Sequence, residues 1–81
     1  SGRAEEMIIR AEWPGTVVDV FVQAGQEVDE DEALMLLEGT DAAHTPFYVN
    51  APESGKIRKV LIEEGDFAEE DDELLDLVEV D

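Results

Sequence analysis

The chain repeats itself at an offset of 40 residues, and no other feature limits its possible folds as much. Residues 11–38 align with residues 51–78 without a gap. Gly15 falls on Gly55, Val17 on Ile57, Val20 on Val60 and Phe21 on Leu61. Val22 falls on Ile62, Gly25 on Gly65, Asp31 on Asp71, Leu34 on Leu74 and Leu37 on Leu77. One copy is too short to bury a core of its own. The two must therefore pack on each other as one domain with a pseudo-twofold relation.

Each copy reads as strands. Thr16-Val17-Val18-Asp19-Val20-Phe21-Val22 is rich in β-branched residues, and Lys56-Ile57-Arg58-Lys59-Val60-Leu61-Ile62 is its counterpart. Gly15 and Gly55 open these strands, and Gly25 and Gly65 close them. Glycine at all four places suits turns with φ above zero. The apolar runs Ala33-Leu34-Met35-Leu36-Leu37 and Leu74-Leu75-Asp76-Leu77-Val78 contain leucine, a helix former. They are short and bounded by turn residues, which favours strands. Residues 27–32 and 67–73 each have room for one brief strand and one tight turn. Met7-Ile8-Ile9-Arg10-Ala11 gives a first strand and Phe47-Tyr48-Val49-Asn50 a middle one. The total is about eight short strands in an all-β chain, arranged as a flattened barrel or a sandwich of two small sheets.

The chain has 81 residues, enough for one domain. Residues 1–6 read as a tail, with Ser1-Gly2-Arg3 resembling what an expression tag leaves behind. The domain then covers 7–80, with half-repeats 11–38 and 51–78 and a hairpin at 39–50. Only five residues are aromatic, so the core must be built from Val, Leu and Ile. The chain has no cysteine, which excludes disulfides and thiolate metal sites and fits a reducing, cytoplasmic setting. No apolar run approaches the ~18 residues that span a bilayer.

Charge narrows the partners. Against 23 Asp and Glu stand five Lys and Arg, for a net charge of −18. Such a surface repels nucleic-acid phosphate and anionic lipid, so neither is expected as a partner. Three readings stay open: a solvated surface that aids solubility, recognition of a basic protein surface, and adaptation to a high-salt host.

The residues resemble the biotinyl/lipoyl carrier domain family over roughly residues 7–79. The family's pattern is Ala-Pro-x-x-Gly-x-Val, a long strand, Gly-Asp-x-Val, and Leu-x-x-x-Glu. The second copy has Ala51-Pro52-Glu53-Ser54-Gly55-Lys56-Ile57 and Gly65-Asp66-Phe67; the first has Pro14-Gly15-Thr16-Val17 and Gly25-Gln26-Glu27-Val28. The resemblance implies a barrel-sandwich hybrid of two four-stranded sheets. It also implies a hairpin between the halves with a lysine at its tip, joined by an amide to biotin or lipoate. A tethered cofactor visits several active sites at high effective concentration.

This chain departs from the family at that tip. Counting forward from Val28 places the lysine position at Asp41, and counting back from Pro52 places it at His44. The hairpin is thus about three residues longer than the family's, and residues 39–50 contain no lysine. Thr40-Asp41-Ala42-Ala43 looks like the lipoyl Thr-Asp-Lys-Ala tip with alanine in the lysine slot, and the biotinyl Met-Lys-Met tip is not visible. Asp41, Ala42, Ala43 and His44 therefore stand where the attachment site would be, and no bound cofactor is expected. Lys56 and Lys59, the only lysines, fall in the long strand of the second copy.

Other chemistry has little support. His44, the only histidine, could act as a base or metal ligand beside Asp41, but it lacks a partner nucleophile. The acidic runs 29–32 and 69–73 lack the glycine and alternating ligands of a calcium loop and read as solvated turns. Trp13, Phe47 and Tyr48 are bulky residues near the first turn and the hairpin foot, and are candidate partner contacts.

The leading expectation is a non-catalytic, monomeric docking module that meets a basic surface of an enzyme subunit or adjacent domain. The alternative is a lipoyl or biotinyl carrier domain of a 2-oxoacid dehydrogenase or biotin-dependent carboxylase, in a lysine-free or engineered form. A third is the lipoyl-like segment of an efflux-pump adaptor. There a long helical hairpin separates the halves, whereas here only about a dozen residues do.

Overall fold

The computed structural model describes residues 4–80 and shows eight strands among them. These are β1 (Ala4–Arg10), β2 (Gly15–Val20), β3 (Glu27–Val28), β4 (Ala33–Gly39), β5 (Pro46–Asn50), β6 (Gly55–Val60), β7 (Phe67–Ala68) and β8 (Glu73–Val80). They form two antiparallel four-stranded sheets, ordered β1-β8-β6-β3 and β5-β4-β2-β7. Adding 40 to the residue numbers of β1–β4 lands on β5–β8, and the same operation converts one sheet into the other. The all-β fold with two four-stranded sheets and a pseudo-twofold axis is therefore present.

The halves are interlaced. Each sheet takes two strands from each copy: β3 pairs with β6, β7 with β2, and β1 with β8. The turn hydrogen bonds repeat in the same way. The Gly25 N–H donates to Ile57 O and Ile57 N–H to Gln26 O, while Gly65 N–H donates to Val17 O and Val17 N–H to Asp66 O. Leu34, Met35, Leu37, Leu74, Leu75 and Leu77 from the two long strands fill the core with Val17 and Ile57. These residues are buried, and apart from Asp76 the charged side chains of the strands are exposed.

The acidic turns put carboxylates to structural use. Glu32 Oε1 accepts from Asp29 N–H, and Asp72 Oδ2 accepts from Glu69 N–H in the equivalent turn. Asp31 and Asp71 sit at φ 69° and 71°, a left-handed region that aspartate tolerates better than most residues.

Two expectations are corrected. Gly25 and Gly65 have the expected positive φ, at 94° and 90°, but Gly15 and Gly55 do not share it. They are needed because the neighbouring strand approaches too closely: a Cβ would lie 2.6 Å from Glu38 O at Gly15 and 2.5 Å from Val78 O at Gly55. The supposed tail at 1–6 is also shorter than expected. β1 starts at Ala4, because β8 runs on to Val80 and offers backbone partners to Ala4, Glu5 and Glu6. Residues 1–3 lie outside the described residues.

Candidate functional site

The hairpin between β4 and β5 turns at residues 40–45. Its tip is a four-residue turn closed by His44 N–H donating to Asp41 O at 2.9 Å, with Ala42 and Ala43 at its centre. His44 takes φ 52°, so its backbone makes the left-handed step that returns the chain. The Asp41 carboxylate is engaged on both oxygens: Oδ1 accepts from Thr45 N–H at 2.8 Å, and Oδ2 accepts from the Thr45 hydroxyl at 2.5 Å. These bonds hold the Asp41 carboxyl below the usual aspartate range. Below the turn, Gly39 N–H donates to Thr45 O. Asp41 and His44 are thus brought together as parts of one turn, and all four tip residues are exposed.

Of the three aromatic candidates, two pack on each other, and the third, Tyr48, adjoins the same groove from the next position on the hairpin strand. Trp13 and Phe47 pack edge to face with ring centroids 5.5 Å apart and planes at 77°. Together they join the first turn to the hairpin foot and wall a groove of about 250 Å³ between β1 and β5. Tyr48, the next residue on β5, projects from the outer face of the second sheet. There its ring lies 6.3 Å from that of Phe21. Lys56 and Lys59 are on β6, in the first sheet, whereas the hairpin belongs to the second.

Sequence reasoning missed a charged cluster on the first sheet. Asp76 is only 2 % exposed, although it lies in the apolar run of β8. Arg58, the bulged residue of β6, donates to it from Nε and also reaches Glu6 on β1. A signal was present: a lone aspartate interrupts a leucine run, at the place where the first copy has Leu36.

Residues 7–77 match the family described as "biotin-requiring enzyme", the biotin/lipoyl domain. The chain belongs to this family. Its relatives include the mitochondrial methylcrotonoyl-CoA carboxylase subunit alpha of Rattus norvegicus, 40 % identical over 55 residues, which are 68 % of this chain and 7 % of that protein. Pyruvate carboxylase of Bacillus subtilis (strain 168) is 36 % identical over 69 residues, 85 % of this chain and 6 % of the relative. Among solved structures, the urea carboxylase of Kluyveromyces lactis aligns with a TM-score of 0.80 at 23 % identity, over 90 % of this chain and 6 % of that one. A single-chain, multi-domain long-chain acyl-CoA carboxylase aligns with a TM-score of 0.82 at 27 % identity, over 91 % and 7 %. The biotin/lipoyl domain described here therefore matches only a small part of these much larger proteins.

Biotin or lipoate, as this family carries it, needs a primary amine on the hairpin. The residues of this biotin/lipoyl domain do not fit that requirement. Positions 39–50 supply no amine, and the Asp41 carboxylate is already bonded to Thr45.

Proposed function

We propose that this chain is a biotin/lipoyl domain of a multidomain, biotin-dependent carboxylase-type enzyme. On this reading it acts by docking and has no catalytic residues or tethered cofactor of its own. The carboxylase relatives support the setting. The docking role rests on one observation: the hairpin tip has no amine, and its acidic residue is committed to closing the turn. The net charge of −18 favours a partner with a basic surface, because complementary charge speeds encounter and rejects acidic competitors. The same charge keeps copies of the chain apart and favours a monomer.

The kinship with carboxylases also favours a second reading, in which the domain carries a cofactor. The acceptor would then be Lys56 or Lys59. The intact mass of the chain purified from its own host separates the two. A mass equal to the bare sequence is expected. A mass raised by one biotinyl or lipoyl group would overturn the docking reading and move the swinging arm to β6.

A further inference from the structure

The pseudo-twofold axis allows the outer faces of the two sheets to be compared position by position, and they differ in kind. On the first sheet, Glu27 stands opposite Lys56, and Arg58 binds Asp76 and Glu6. Forty residues away in sequence, the second sheet has Phe67 for Glu27, Thr16 for Lys56, Val18 for Arg58 and Leu36 for Asp76. Tyr48 replaces Ile8. Cross-strand pairing puts Phe67 beside Thr16, and Leu36 beside Tyr48. Val18 is the residue bulged out of the β2–β4 ladder next to Leu36.

The result is a strip of large apolar side chains facing solvent. Tyr48 is 59 % exposed, Phe67 52 %, Phe21 44 % and Val18 41 %. A folded domain gains nothing internally from exposing them, and such patches commonly mark interaction sites. Charge is segregated as well. Arg10, Lys56, Arg58 and Lys59 all lie on β1 and β6, in the first sheet, and the strands of the second sheet contain no Lys or Arg. The charges that border the strip are acidic: Asp19 and Glu38 on the sheet, and Glu64, which accepts from Val20 N–H.

We propose that the outer face of the β5-β4-β2-β7 sheet, centred on Val18, Leu36, Tyr48 and Phe67, is the docking surface for a protein partner with an apolar centre and a Lys/Arg rim. The proposal rests on the docking reading above and gives that reading a location. Charge complementarity selects the occupant. A second copy would bring Asp19 and Glu38 against an equally acidic face, and an anionic membrane would be repelled.

The test is an amide chemical-shift titration of the 81-residue chain with a synthetic ten-residue peptide of alternating leucine and lysine. Shifts should cluster on β2, β4, β5 and β7 around Val18, Leu36, Tyr48 and Phe67. The double variant Tyr48→Ser/Phe67→Ser should weaken binding about tenfold. Both side chains are more than half exposed, so the variant should keep the native spectrum. Val18→Arg, which copies the residue of the other half, should weaken binding too, whereas Leu61→Ser on the other copy should leave it unchanged. Added salt should weaken the native complex. Shifts spread over the acidic turns, equal binding by the double variant, or sedimentation showing a dimer that Phe67→Ser abolishes would each overturn the proposal. A covalently attached cofactor found by mass would instead strike at the docking reading and leave the titration unaffected.

Discussion

Arg58 Nε donates to Asp76 Oδ2 at 2.7 Å, and Nη2 forms an ion pair with the same oxygen at 2.7 Å. The carboxylate is buried and the guanidinium half exposed. Removing the arginine leaves a desolvated charge without its partner. Arg58→Ala should therefore destabilise the fold. The other half of the molecule already shows an apolar solution at the same place, Val18 beside Leu36. Arg58→Val combined with Asp76→Leu should thus recover most of that loss. Urea unfolding midpoints at constant m-value measure both effects.

Glu6 completes this cluster and makes it sensitive to acid. Its carboxyl is raised above the ordinary value of 4.5, chiefly by the neighbouring Asp76 carboxylate, with Arg58 opposing. Burial pushes Asp76 up, but its interactions with Glu6 and Arg58 prevail and hold it below 3.8. The two groups therefore act in opposite directions. The Glu6 contribution to stability is present below 4.5 and is lost as pH rises through its raised folded value. The Asp76 contribution is present above 3.8 and is lost as pH falls through its lowered folded value. Glu6→Gln should be more stable than the native chain at neutral pH. That advantage should disappear on acidification through the Glu6 titration, as followed by urea midpoints between about pH 3 and 7.

Gly15 and Gly55 should respond alike to substitution. At each, an alanine Cβ would press on the carbonyl of a paired strand, with no flexible side chain to move aside. Gly15→Ala and Gly55→Ala should each cost about 1–3 kcal/mol. A small loss at one and a large loss at the other would mean that the two halves differ in stiffness. Thermal unfolding of the two variants side by side makes the comparison.

At the hairpin tip, Asp41→Ala removes both bonds to Thr45. Amide exchange at Thr45 and Gly39 should accelerate, by about tenfold, while exchange at the core strands is unchanged. Because the folded-state pKa of Asp41 is lowered, the native tip should loosen in the same way as pH falls through that value. The variant should show no such acid step.

The repeat made most of the architecture legible. Equivalent glycines and valines forty residues apart implied equivalent strands, and all eight are found. The alternation in Thr16–Val20 shows which side chains face inward but does not name the neighbouring strand, so the interlacing of β3 with β6 and β7 with β2 could not be read from sequence. The Asp41–Thr45 clasp did have a local signal, an aspartate at a turn start with a hydroxyl residue four positions later. The apolar face was hidden for another reason. Val18, Leu36 and Phe67 are unremarkable singly, and become informative only when each is set against its charged counterpart in the other copy.

Because each sheet draws strands from both copies, neither half can be a folding unit by itself, and the hairpin is their only direct covalent link along the chain. A single cut between Asp41 and His44 would part the chain into two pieces still clasped by both sheets. Such pieces, made separately and mixed, should find each other and rebuild the domain, which makes the tip the natural place to divide this protein into a complementing pair.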